Sequence, residues 1–356
     1  MKIIIIVGAR PQFIKASVVC RELSNHKEIN EIIVHTGQHF DDNMSEIFFQ
    51  EMQIKKPKYN LNVNGLGHAS MTGQMLIKIE EVLLKEHPDL VMVFGDTNST
   101  LAGALAAKKL HIKLAHTEAG LRSFNMKMPE EINRILTDRI SDILFCPTKQ
   151  SVDNLYNEGF EKFDCSIFNV GDVMFDAALY YSDKAKRPNF EIPSNFILAT
   201  IHRAENTDSS ENLASIMKAL EDISNDIHII LPIHPRTKSK LKEINFNFNK
   251  SKIIIVEPVG YLEMVYLIKN SEFVMTDSGG LQKEAYFFKK MCITLRDETE
   301  WVELIEGGYN NLSGSDHTRI INHYNNIKGR KSFDNENGYY GNGDASKKIL
   351  QILLKQ

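Results

Sequence analysis

Apolar residues along this chain fall into short continuous runs, separated by longer stretches in which they recur with helical spacing. Continuous apolar runs are typical of parallel strands that are buried on both faces of a sheet. In the first half of the chain the pattern predicts strands over residues 3–7, 32–35, 90–94, 113–116, 143–146 and 166–170. It predicts helices between them, over residues 13–23, 71–84 and 100–109.

The same pattern restarts in the second half of the chain. It predicts strands over residues 196–200, 227–231, 253–256, 273–276 and 292–295, and helices over 213–223, 261–268 and 281–287. A polar, proline-containing stretch over 182–193 separates the halves. Residues 313–342 are polar and predict a loop with one short helix, and 345–354 predict a closing helix.

Strands that alternate with helices predict doubly wound parallel sheets with right-handed connections. We therefore expect an α/β protein of two Rossmann-like domains, residues 1–170 and 171–344, facing each other across a cleft. The closing helix, within residues 345–356, is expected to pack back on the first domain. Ligands of such sheets bind outside the carboxyl ends of the strands, so residues that directly follow strands are the candidates for function.

Composition narrows the classes of partner. A net charge of −4 over 356 residues gives no basic surface for nucleic acid, so an anionic substrate needs a local site. The four cysteines lack metal-ligand spacing and predict reduced thiols in the cytoplasm, with no metal site. No apolar run approaches the ~20 residues that a membrane helix needs.

The first polar cluster runs from Gly8 to Lys15, directly after the first predicted strand. A glycine permits a tight turn, and the helix that follows offers free N–H groups to an anion, beside Arg10 and Lys15. The motif is not GxGxxG, so no dinucleotide cofactor is indicated. A plain strand-to-helix turn with exposed basic residues explains the same pattern.

Three carboxylates follow successive elements of the same predicted sheet. Asp96 follows strand 90–94, although an Asp before a helix is also a common N-cap. Glu118 follows strand 113–116, beside a histidine and with no evident capping role. Glu130 lies four residues before Arg134 on one helix face, a spacing that a solvated ion pair also explains. Three carboxylates at one sheet edge favour acid–base chemistry.

The second half supplies groups suited to an anion. His202 follows strand 196–200. Ser278, Gly279 and Gly280 open a predicted helix, where small residues and free N–H groups form a phosphate cradle. Glu284, about one helical turn further along, is placed to reach a ribose diol. A glycine-rich turn with a surface glutamate is the alternative interpretation.

Taken in order, these motifs resemble those of the bacterial non-hydrolysing UDP-N-acetylglucosamine 2-epimerase family. The resemblance extends from residue 1 to the tail. The motifs are Gly8-Ala9-Arg10-Pro11, Gly95-Asp96-Thr97, Glu118-Ala119-Gly120-Leu121-Arg122, Pro129-Glu130-Glu131-Ile132-Asn133-Arg134, His202-Arg203, Asp277-Ser278-Gly279-Gly280 and the closing Gly341-Asn342-Gly343-Asp344-Ala345-Ser346.

The resemblance implies the GT-B fold and interconversion of UDP-GlcNAc and UDP-ManNAc, by elimination of UDP and its re-addition to a 2-acetamidoglucal. It also implies a homodimer without metal or nicotinamide. By position, it assigns the residues as follows: Arg10, His202, Ser278, Gly279 and Gly280 to the UDP phosphates, Glu284 to the ribose, and Asp96, Glu118 and Glu130 to acid–base catalysis, with Lys15, Arg134 and His202 as further catalytic candidates.

Some positions depart from the common family pattern. Ala9 and Gln12 stand where the family turn has Thr and Glu, and Trp301-Val302 interrupt the usual Thr-Glu-Arg-Pro-Glu segment. These departures resemble a sub-branch that acts on UDP-2,3-diacetamido-2,3-dideoxyglucuronic acid, which is the alternative substrate. Arg10-Pro11-Gln12 distinguishes the chain from hydrolysing relatives. A GT-B glycosyltransferase and a non-catalytic sugar-nucleotide sensor are the remaining alternatives.

Regulation is the last property that the resemblance bears on. Common members of the family bind a second substrate molecule through a Gln-His turn and basic side chains. Here Gln38-His39 is followed by Phe40-Asp41-Asp42, residues 64–68 contain no arginine, and Trp301 is expected at the cleft rim. An unpaired phosphate is unfavourable to desolvate, so we expect hyperbolic kinetics.

Overall fold

The computed structural model of the chain describes residues 1–38, 49–50, 53–248, 251–329, 333 and 338–355. It divides into two compact units. Unit 1 contains residues 1–179 and 338–356, and unit 2 contains residues 180–337. Each unit is built on one parallel sheet.

The sheet of unit 1 has seven strands in the order β3-β2-β1-β4-β5-β6-β7, with parallel pairing. Its strands are β1 (Lys2–Val7), β2 (Asn30–His35), β3 (Tyr59–Asn60), β4 (Leu90–Phe94), β5 (Lys113–Thr117), β6 (Ile143–Cys146) and β7 (Ser166–Asn169). Ile3 to Ile6 are fully buried, as a central strand covered on both faces requires. The strand order reverses between β1 and β4, which is the topological switch point of the sheet.

The helices of unit 1 cover this sheet. They are α1 (Arg10–Ser24), α2 (His68–Glu86), α3 (Asn98–Lys109), α4 (Pro129–Ile140), α5 (Lys149–Asn157) and α6 (Val173–Ser182). Helices α1 and α4 carry proline in their first turn, where a missing N–H costs no hydrogen bond. Thr97 caps α3 by accepting the N–H of Thr100.

The sheet of unit 2 has six strands in the order β10-β9-β8-β11-β12-β13, with parallel pairing. Its strands are β8 (Phe196–Thr200), β9 (His228–Pro232), β10 (Ile254–Val256), β11 (Val274–Thr276), β12 (Cys292–Thr294) and β13 (Asn310–Leu312). Its switch point lies between β8 and β11. The two sheets therefore share one plan, with β8 and β11 in the places of β1 and β4.

The helices of unit 2 lie between these strands. They are α7 (Ala204–Thr207), α8 (Ser210–Ser224), α9 (Pro235–Glu243), α10 (Tyr261–Asn270), α11 (Gly279–Phe287), α12 (Val302–Glu306) and α13 (His317–Ile327). The apolar face of α8 packs with β8, β9 and α13 in one buried cluster. Ser209 and Asp316 cap α8 and α13 by accepting backbone N–H groups.

The closing helix α14 (Ala345–Leu353) belongs to unit 1 and contacts α1. Asp176 on α6 accepts the N–H groups of Ala345 and Ser346 and the hydroxyl of Ser346. The N–H of Asp172 bonds the carbonyl of Tyr340 at 3.0 Å. These contacts tie the segment after β7 to unit 1, so the unit ends after residue 179, whereas the sequence placed the boundary after residue 170.

The main strands and helices that the hydrophobic pattern predicted are present. The pattern missed β3 and β13, because each is short and carries polar residues at the edge of its sheet. For residues 313–342 the sequence predicted a loop with one short helix. Helix α13 lies in this range, part of which is outside the described residues. His39, Phe40, Asp41 and Asp42, on which the regulatory prediction partly rests, also lie outside them.

Within the described ranges, no helix combines the length and apolar character that crossing a bilayer demands. The four cysteines are free, and Cys20, Cys146 and Cys292 are buried. The same described ranges contain no cluster of three His, Cys, Asp or Glu side chains that could hold a metal ion.

Candidate active site

The turn between β1 and α1 is held by a buried glutamine amide. The Gln12 Oε1 atom accepts the N–H groups of Gly8 and Ala9 at 2.8 and 3.0 Å. Its Nε2 atom donates to the Phe94 carbonyl at 2.8 Å and to the Thr100 hydroxyl at 2.9 Å. Gln12, which the sequence marked only as a departure, thus ties the turn after β1 to the turn after β4.

Lys15 and Glu118 form a buried ion pair at the carboxyl edge of unit 1. Gly95 adjoins this pair, because a Cβ atom there would lie 3.1 Å from Lys15 Nζ and 3.2 Å from Glu118 Oε2. Gly95 has a φ of 64° and Glu118 a φ of 73°. A glutamate in the left-handed region is strained by about 1 kcal/mol or more, and such strain clusters at functional sites.

Asp96 forms the second ion pair of this edge. Its Oδ2 atom accepts from Arg134 Nη2 at 2.6 Å, and its main-chain carbonyl accepts from Asn133 Nδ2 at 2.8 Å. The Asp96 side chain is 31 % exposed, whereas that of Arg134 is 3 % exposed. The N-cap interpretation of Asp96 is wrong, because Thr97 caps α3. The Asp96 carboxylate is therefore paired with a buried cation and still accessible.

The two adjacent glutamates of α4 differ in their contacts. Glu131 is fully buried and accepts from the N–H and hydroxyl of Ser123 and the N–H of Phe124, so it shapes the preceding loop. Its Oε2 atom also lies 3.2 Å from Arg134 Nη1. Glu130 is half-buried and has no hydrogen-bond or ion-pair partner among the described residues. The spacing of Glu130 and Arg134 thus does not produce the ion pair that it allows.

A chain of polar and charged side chains, buried except for Glu158 at its end, runs alongside these groups. His116 Nδ1 lies 2.7 Å from Asp138 Oδ1, and Asp138 Oδ2 accepts from Arg122 Nη1 at 2.7 Å. Arg122 also donates to both carboxylate oxygens of Glu158. Burial opposes ionisation of Asp138, but the hydrogen bond and charge of His116, and then Arg122, lower its pKa below the ordinary value.

The sequence did not assign a role to His116, Asp138 or Arg122. The signal that could have found them is a histidine within an otherwise apolar buried strand, since such a side chain needs buried partners. His116 is fully buried on β5, and Asp138 is fully buried on α4.

In unit 2, a buried aspartate organises the switch point. Asp277 is fully buried and accepts the N–H groups of His202 and Arg203 at 3.1 and 3.0 Å. It also accepts from Asn206 Nδ2 at 3.1 Å. The His202 side chain is 52 % exposed, with Nδ1 3.4 Å from Asp277 Oδ1. Asp277 fixes the backbone after β8 and leaves the His202 imidazole accessible.

Helix α11 begins at the same edge. Ser278 is its N-cap, and its side chain accepts the N–H of Leu281. Gly279 has no room for a side chain, because a Cβ atom there would lie 2.4 Å from Glu300 Oε1, whereas Gly280 is open and exposed. Glu284 is 6 % exposed on the second turn of the helix. The start of α11 therefore presents backbone N–H groups beside small residues.

Trp301 lies in the interior of the protein. It is 3 % exposed, and Lys283 Nζ lies 3.9 Å from its ring centroid. The indole, which the sequence predicted to change the rim of a cleft, packs against the buried Lys283 as a cation–π pair.

Unit 1 also carries a shallow pocket of about 330 Å³. It is lined by His68, Ala69, Thr72, Gly73, Asn98, Pro129, Ile132 and Asn133. Asn98 Nδ2 lies 3.2 Å from His68 Nδ1, and Asn133 Nδ2 donates to Asn98 Oδ1 at 3.3 Å. This described lining contains no lysine or arginine.

The predicted site residues thus form two groups. Lys15, Asp96, Glu118 and Arg134 surround Gly95 in unit 1, with Arg10 and Glu130 at the starts of α1 and α4. In unit 2, His202 and Ser278 flank Asp277, and Gly279, Gly280 and Glu284 follow on α11.

Comparisons with known proteins identify the family. Residues 21–354 match the model of the UDP-N-acetylglucosamine 2-epimerase family. The chain is 54 % identical to the UDP-2,3-diacetamido-2,3-dideoxy-D-glucuronate 2-epimerase of Pseudomonas aeruginosa over 357 residues, covering 100 % of both chains. It is 47 % identical to a UDP-N-acetylglucosamine 2-epimerase of Methanocaldococcus jannaschii, covering 99 % of both.

A solved structure agrees with the sequence comparisons. The crystal structure of the M. jannaschii UDP-GlcNAc 2-epimerase in complex with UDP-GlcNAc and UDP matches with a TM-score of 0.92 and 46 % identity, over 100 % of both chains. The fold is therefore the two-domain, GT-B-like α/β fold of these enzymes, and the named relatives are epimerases, a class of isomerases. The chain belongs to the UDP-N-acetylglucosamine 2-epimerase family.

Proposed function

We propose that this protein is a non-hydrolysing epimerase that interconverts UDP-GlcNAc and UDP-ManNAc by inverting C2 of the sugar. The observation that carries the proposal is the pair of carboxylates at the switch point of unit 1. Asp96 pairs with the buried Arg134, and Glu118 pairs with the buried Lys15. Both carboxylates flank Gly95. Sugar transfer to an acceptor does not require several proton carriers beside one sugar ring.

The proposed reaction is an elimination followed by an addition. The C2 hydrogen is too weakly acidic for simple exchange, so UDP leaves C1 while a carboxylate removes the C2 proton. The product of this step is a 2-acetamidoglucal. A second acid then delivers a proton to the opposite face of C2, and UDP returns to C1. Two faces require two proton carriers, for which we propose Asp96 and Glu118, with Glu130 as a third candidate.

The UDP group needs hydrogen-bond donors and positive charge as it departs. We assign the phosphates to Arg10, His202, Ser278, Gly279 and Gly280, and the ribose to Glu284. The start of α11 supports this assignment, because its N–H groups and small residues suit an anion. The half-exposed His202 supports it too, since Asp277 fixes its backbone and leaves its imidazole accessible.

UDP-2,3-diacetamido-2,3-dideoxyglucuronate is the second candidate substrate. It is favoured by the P. aeruginosa relative, which carries that name at 54 % identity over its whole length. Ala9, Gln12 and Trp301 are the departures that resemble this sub-branch. In the structure, Gln12 ties two turns of unit 1, and Trp301 pairs with Lys283.

We further propose that the enzyme acts as a homodimer in the cytoplasm. Apolar side chains of unit 1 are exposed on α2, on α4 and in the loop before α4, which supports a subunit interface there. They are Ile77, Leu84, Phe124, Met126, Ile132 and Leu136. Four free cysteines support a reducing compartment.

Incubation of the purified protein with each sugar nucleotide alone, followed by proton NMR, tests the proposal. We expect UDP-GlcNAc to convert to an equilibrium mixture with UDP-ManNAc without an acceptor. A glycosyltransferase or a sensor would leave it unchanged, and a hydrolysing enzyme would release UDP and the free sugar. Conversion of the diacetamido uronate with no conversion of UDP-GlcNAc would select the second substrate.

A further inference from the structure

One buried histidine adjoins the proposed catalytic groups without taking part in the proposed reaction. His116 lies near the end of β5, fully buried, opposite Val93 of β4 and Leu144 of β6. Both ring nitrogens have close oxygen neighbours. Nδ1 lies 2.7 Å from Asp138 Oδ1, and Nε2 lies 2.7 Å from the Gly95 carbonyl oxygen.

Both of these neighbours are hydrogen-bond acceptors. The Gly95 carbonyl oxygen can only accept. Asp138 already accepts the Gly120 N–H at 3.0 Å and an Arg122 N–H at 2.7 Å on its other oxygen. The positive charge of Arg122 and the two N–H donors on Oδ2 favour the carboxylate form of Asp138, which can also only accept. Each nitrogen of His116 must therefore donate.

A neutral imidazole cannot satisfy this arrangement. Either neutral tautomer turns one nitrogen lone pair toward an oxygen atom at 2.7 Å, which is repulsive. Rotating the ring by half a turn replaces both nitrogens with carbons and loses both hydrogen bonds. The doubly protonated ring satisfies both contacts, and charge-assisted hydrogen bonds of this length are strong.

We propose that His116 is a doubly protonated imidazolium that positions the Gly95–Asp96 turn and adds positive charge to the catalytic edge of unit 1. The charge is balanced locally. His116 and Arg122 are the cations of the chain, and its anions are the buried Asp138 and the partly exposed Glu158. A buried cation that is paired in this way can stay charged, whereas removal of its partner would leave an uncompensated buried charge.

Lys15 and Glu118 adjoin Gly95, whose carbonyl His116 contacts, and other titratable groups face the histidine from further elements. Asp138 comes from α4, Arg122 from the loop after β5, and Glu158 from the end of α5. The thiol of Cys146 on β6 has its pKa raised, chiefly by burial and then by the negative charge of Asp138. Such a thiol stays neutral, so it does not compete for the histidine proton.

The link from His116 to the reaction passes through Gly95. Its carbonyl is held by His116, and its N–H donates to the Thr117 carbonyl at 3.0 Å. Its Cα atom adjoins Lys15 and Glu118, and the next residue is Asp96. A shift of Gly95 would therefore move the proposed proton carriers together. His116 is thus a positioning residue, and this role rests on the function proposed above.

Nitrogen-15 NMR of the histidine-labelled, full-length protein tests the protonation state without reference to activity. At pH 8.5, where ordinary histidines are neutral, we expect one of the 12 histidines to show two protonated ring nitrogens. Twelve neutral rings at pH 8.5 would overturn the proposal, even if the protein proves to be an active epimerase.

Two substitutions separate position from charge. His116→Asn keeps a donor near the Nδ1 position, toward Asp138, and loses the bond to Gly95. His116→Gln keeps a donor near the Nε2 position, toward Gly95, and loses the bond to Asp138. Both remove the charge. We expect kcat to fall about tenfold further in His116→Asn than in His116→Gln, with KM changing less than about threefold in both.

The pH profile then tests the charge. Loss of a buried cation makes a nearby carboxylic acid harder to ionise, so the acidic limb of kcat/KM should move upward by roughly 0.5 to 1 pH unit in both variants. A merely structural role would reduce the yield of folded enzyme and leave the limb in place. Equal kcat in the two variants with an unmoved limb would overturn the positioning role. If neither variant folds, the NMR result on the native protein decides.

Discussion

The two units place an aspartate at the same point of the same fold and use it in opposite ways. Asp96 follows β4 after Gly95, and Asp277 directly follows β11, at the switch points of their sheets. Asp277 is fully buried, and three N–H donors occupy its oxygens. Asp96 is 31 % exposed at its side chain and is held through one oxygen by Arg134. The number of donors around each carboxylate, and not its place in the fold, therefore sets how accessible its oxygens are.

The groups around the two switch points also differ: ion pairs prevail in unit 1, and hydrogen-bond donors prevail in unit 2. In unit 1, the buried Lys15 pairs with the buried Glu118, and the buried Arg134 pairs with the accessible Asp96. Unit 2 offers backbone N–H groups at the start of α11 and an exposed His202 imidazole. Unit 1 is thus suited to proton transfer and unit 2 to holding an anion, although their sheets share one plan.

The largest effect that sharpens this comparison is expected at Glu118. Glu118→Gln keeps the shape of the side chain but removes a proton carrier, so turnover should fall about a thousandfold. Affinity for UDP, measured by calorimetry, should change less than about threefold. Glu161→Gln, at an exposed position of unit 1 outside the proposed subunit interface, is the matched control and should retain turnover. Loss of UDP affinity with intact turnover would reverse the assignment of the two units.

A second, smaller effect is expected in unit 2. Gly279→Ala places a Cβ atom 2.4 Å from Glu300 Oε1, so the start of α11 has to shift. We expect the Kd for UDP to rise by about tenfold to a hundredfold, equivalent to about 1.4 to 2.8 kcal/mol. Gly73→Ala is the control, since a Cβ there meets nothing within 4 Å. Unchanged UDP affinity in Gly279→Ala would remove α11 from the phosphate site.

A third effect concerns Glu86 of unit 1, whose ionised carboxylate we expect to contribute to stability and not to turnover. Hydrogen bonds from Lys58, and then Tyr59, lower the pKa of Glu86 to about 2. Glu86→Gln should therefore destabilise the protein by about 1 kcal/mol at pH 7, without changing turnover. Because the folded pKa is depressed, this contribution is present above the unfolded pKa of about 4.3 and is lost as pH falls toward 2.

Apparent Tm values of the native protein and Glu86→Gln, measured between pH 7 and pH 3, check this prediction. The difference at pH 7 should be about 2 °C and should shrink below about pH 4.3. A difference that stays constant over this range would show that packing, and not the ionised carboxylate, is responsible.

The smallest expected effect is on the shape of the rate curve. The lining of the pocket beside His68 contributes no lysine or arginine, so a second sugar nucleotide would lack charge compensation there. We expect hyperbolic dependence of rate on UDP-GlcNAc, and no need for added UDP-GlcNAc in the reverse direction. Steady-state rates from both directions measure this. A clearly sigmoidal curve would show that the departures near Gln38 and His68 were given too much weight.

The sequence predicted what depends on local pattern. Continuous apolar runs identified the central strands, such as 3–7 and 90–94, because a strand that is buried on both faces needs apolar residues at almost every position. Order along the chain then placed Asp96, Glu118 and Ser278 after strands. The edge strands β3 and β13 escaped, since short polar strands owe their existence to a neighbouring strand and not to their own composition.

Contacts between distant residues could not be predicted from the pattern. Arg134 on α4 pairs with Asp96, which lies 38 residues earlier in the chain, and Gln12 joins turns that are separated by more than a whole strand–helix unit. The chain from His116 to Glu158 joins side chains of β5, of the loop after β5, of α4 and of the end of α5, which a single sequence does not encode locally. The pairing of Trp301 with Lys283 was hidden for the same reason.

The central claim is that carboxylates of unit 1 remove and return the C2 proton. Proton NMR of the reaction on UDP-GlcNAc in deuterium oxide tests it most directly. We predict that the 2-epimer carries deuterium at C2, and that the recovered UDP-GlcNAc acquires it as the reaction approaches equilibrium. Product that retains its original C2 hydrogen would contradict the account, because the hydrogen would then have been carried internally as hydride.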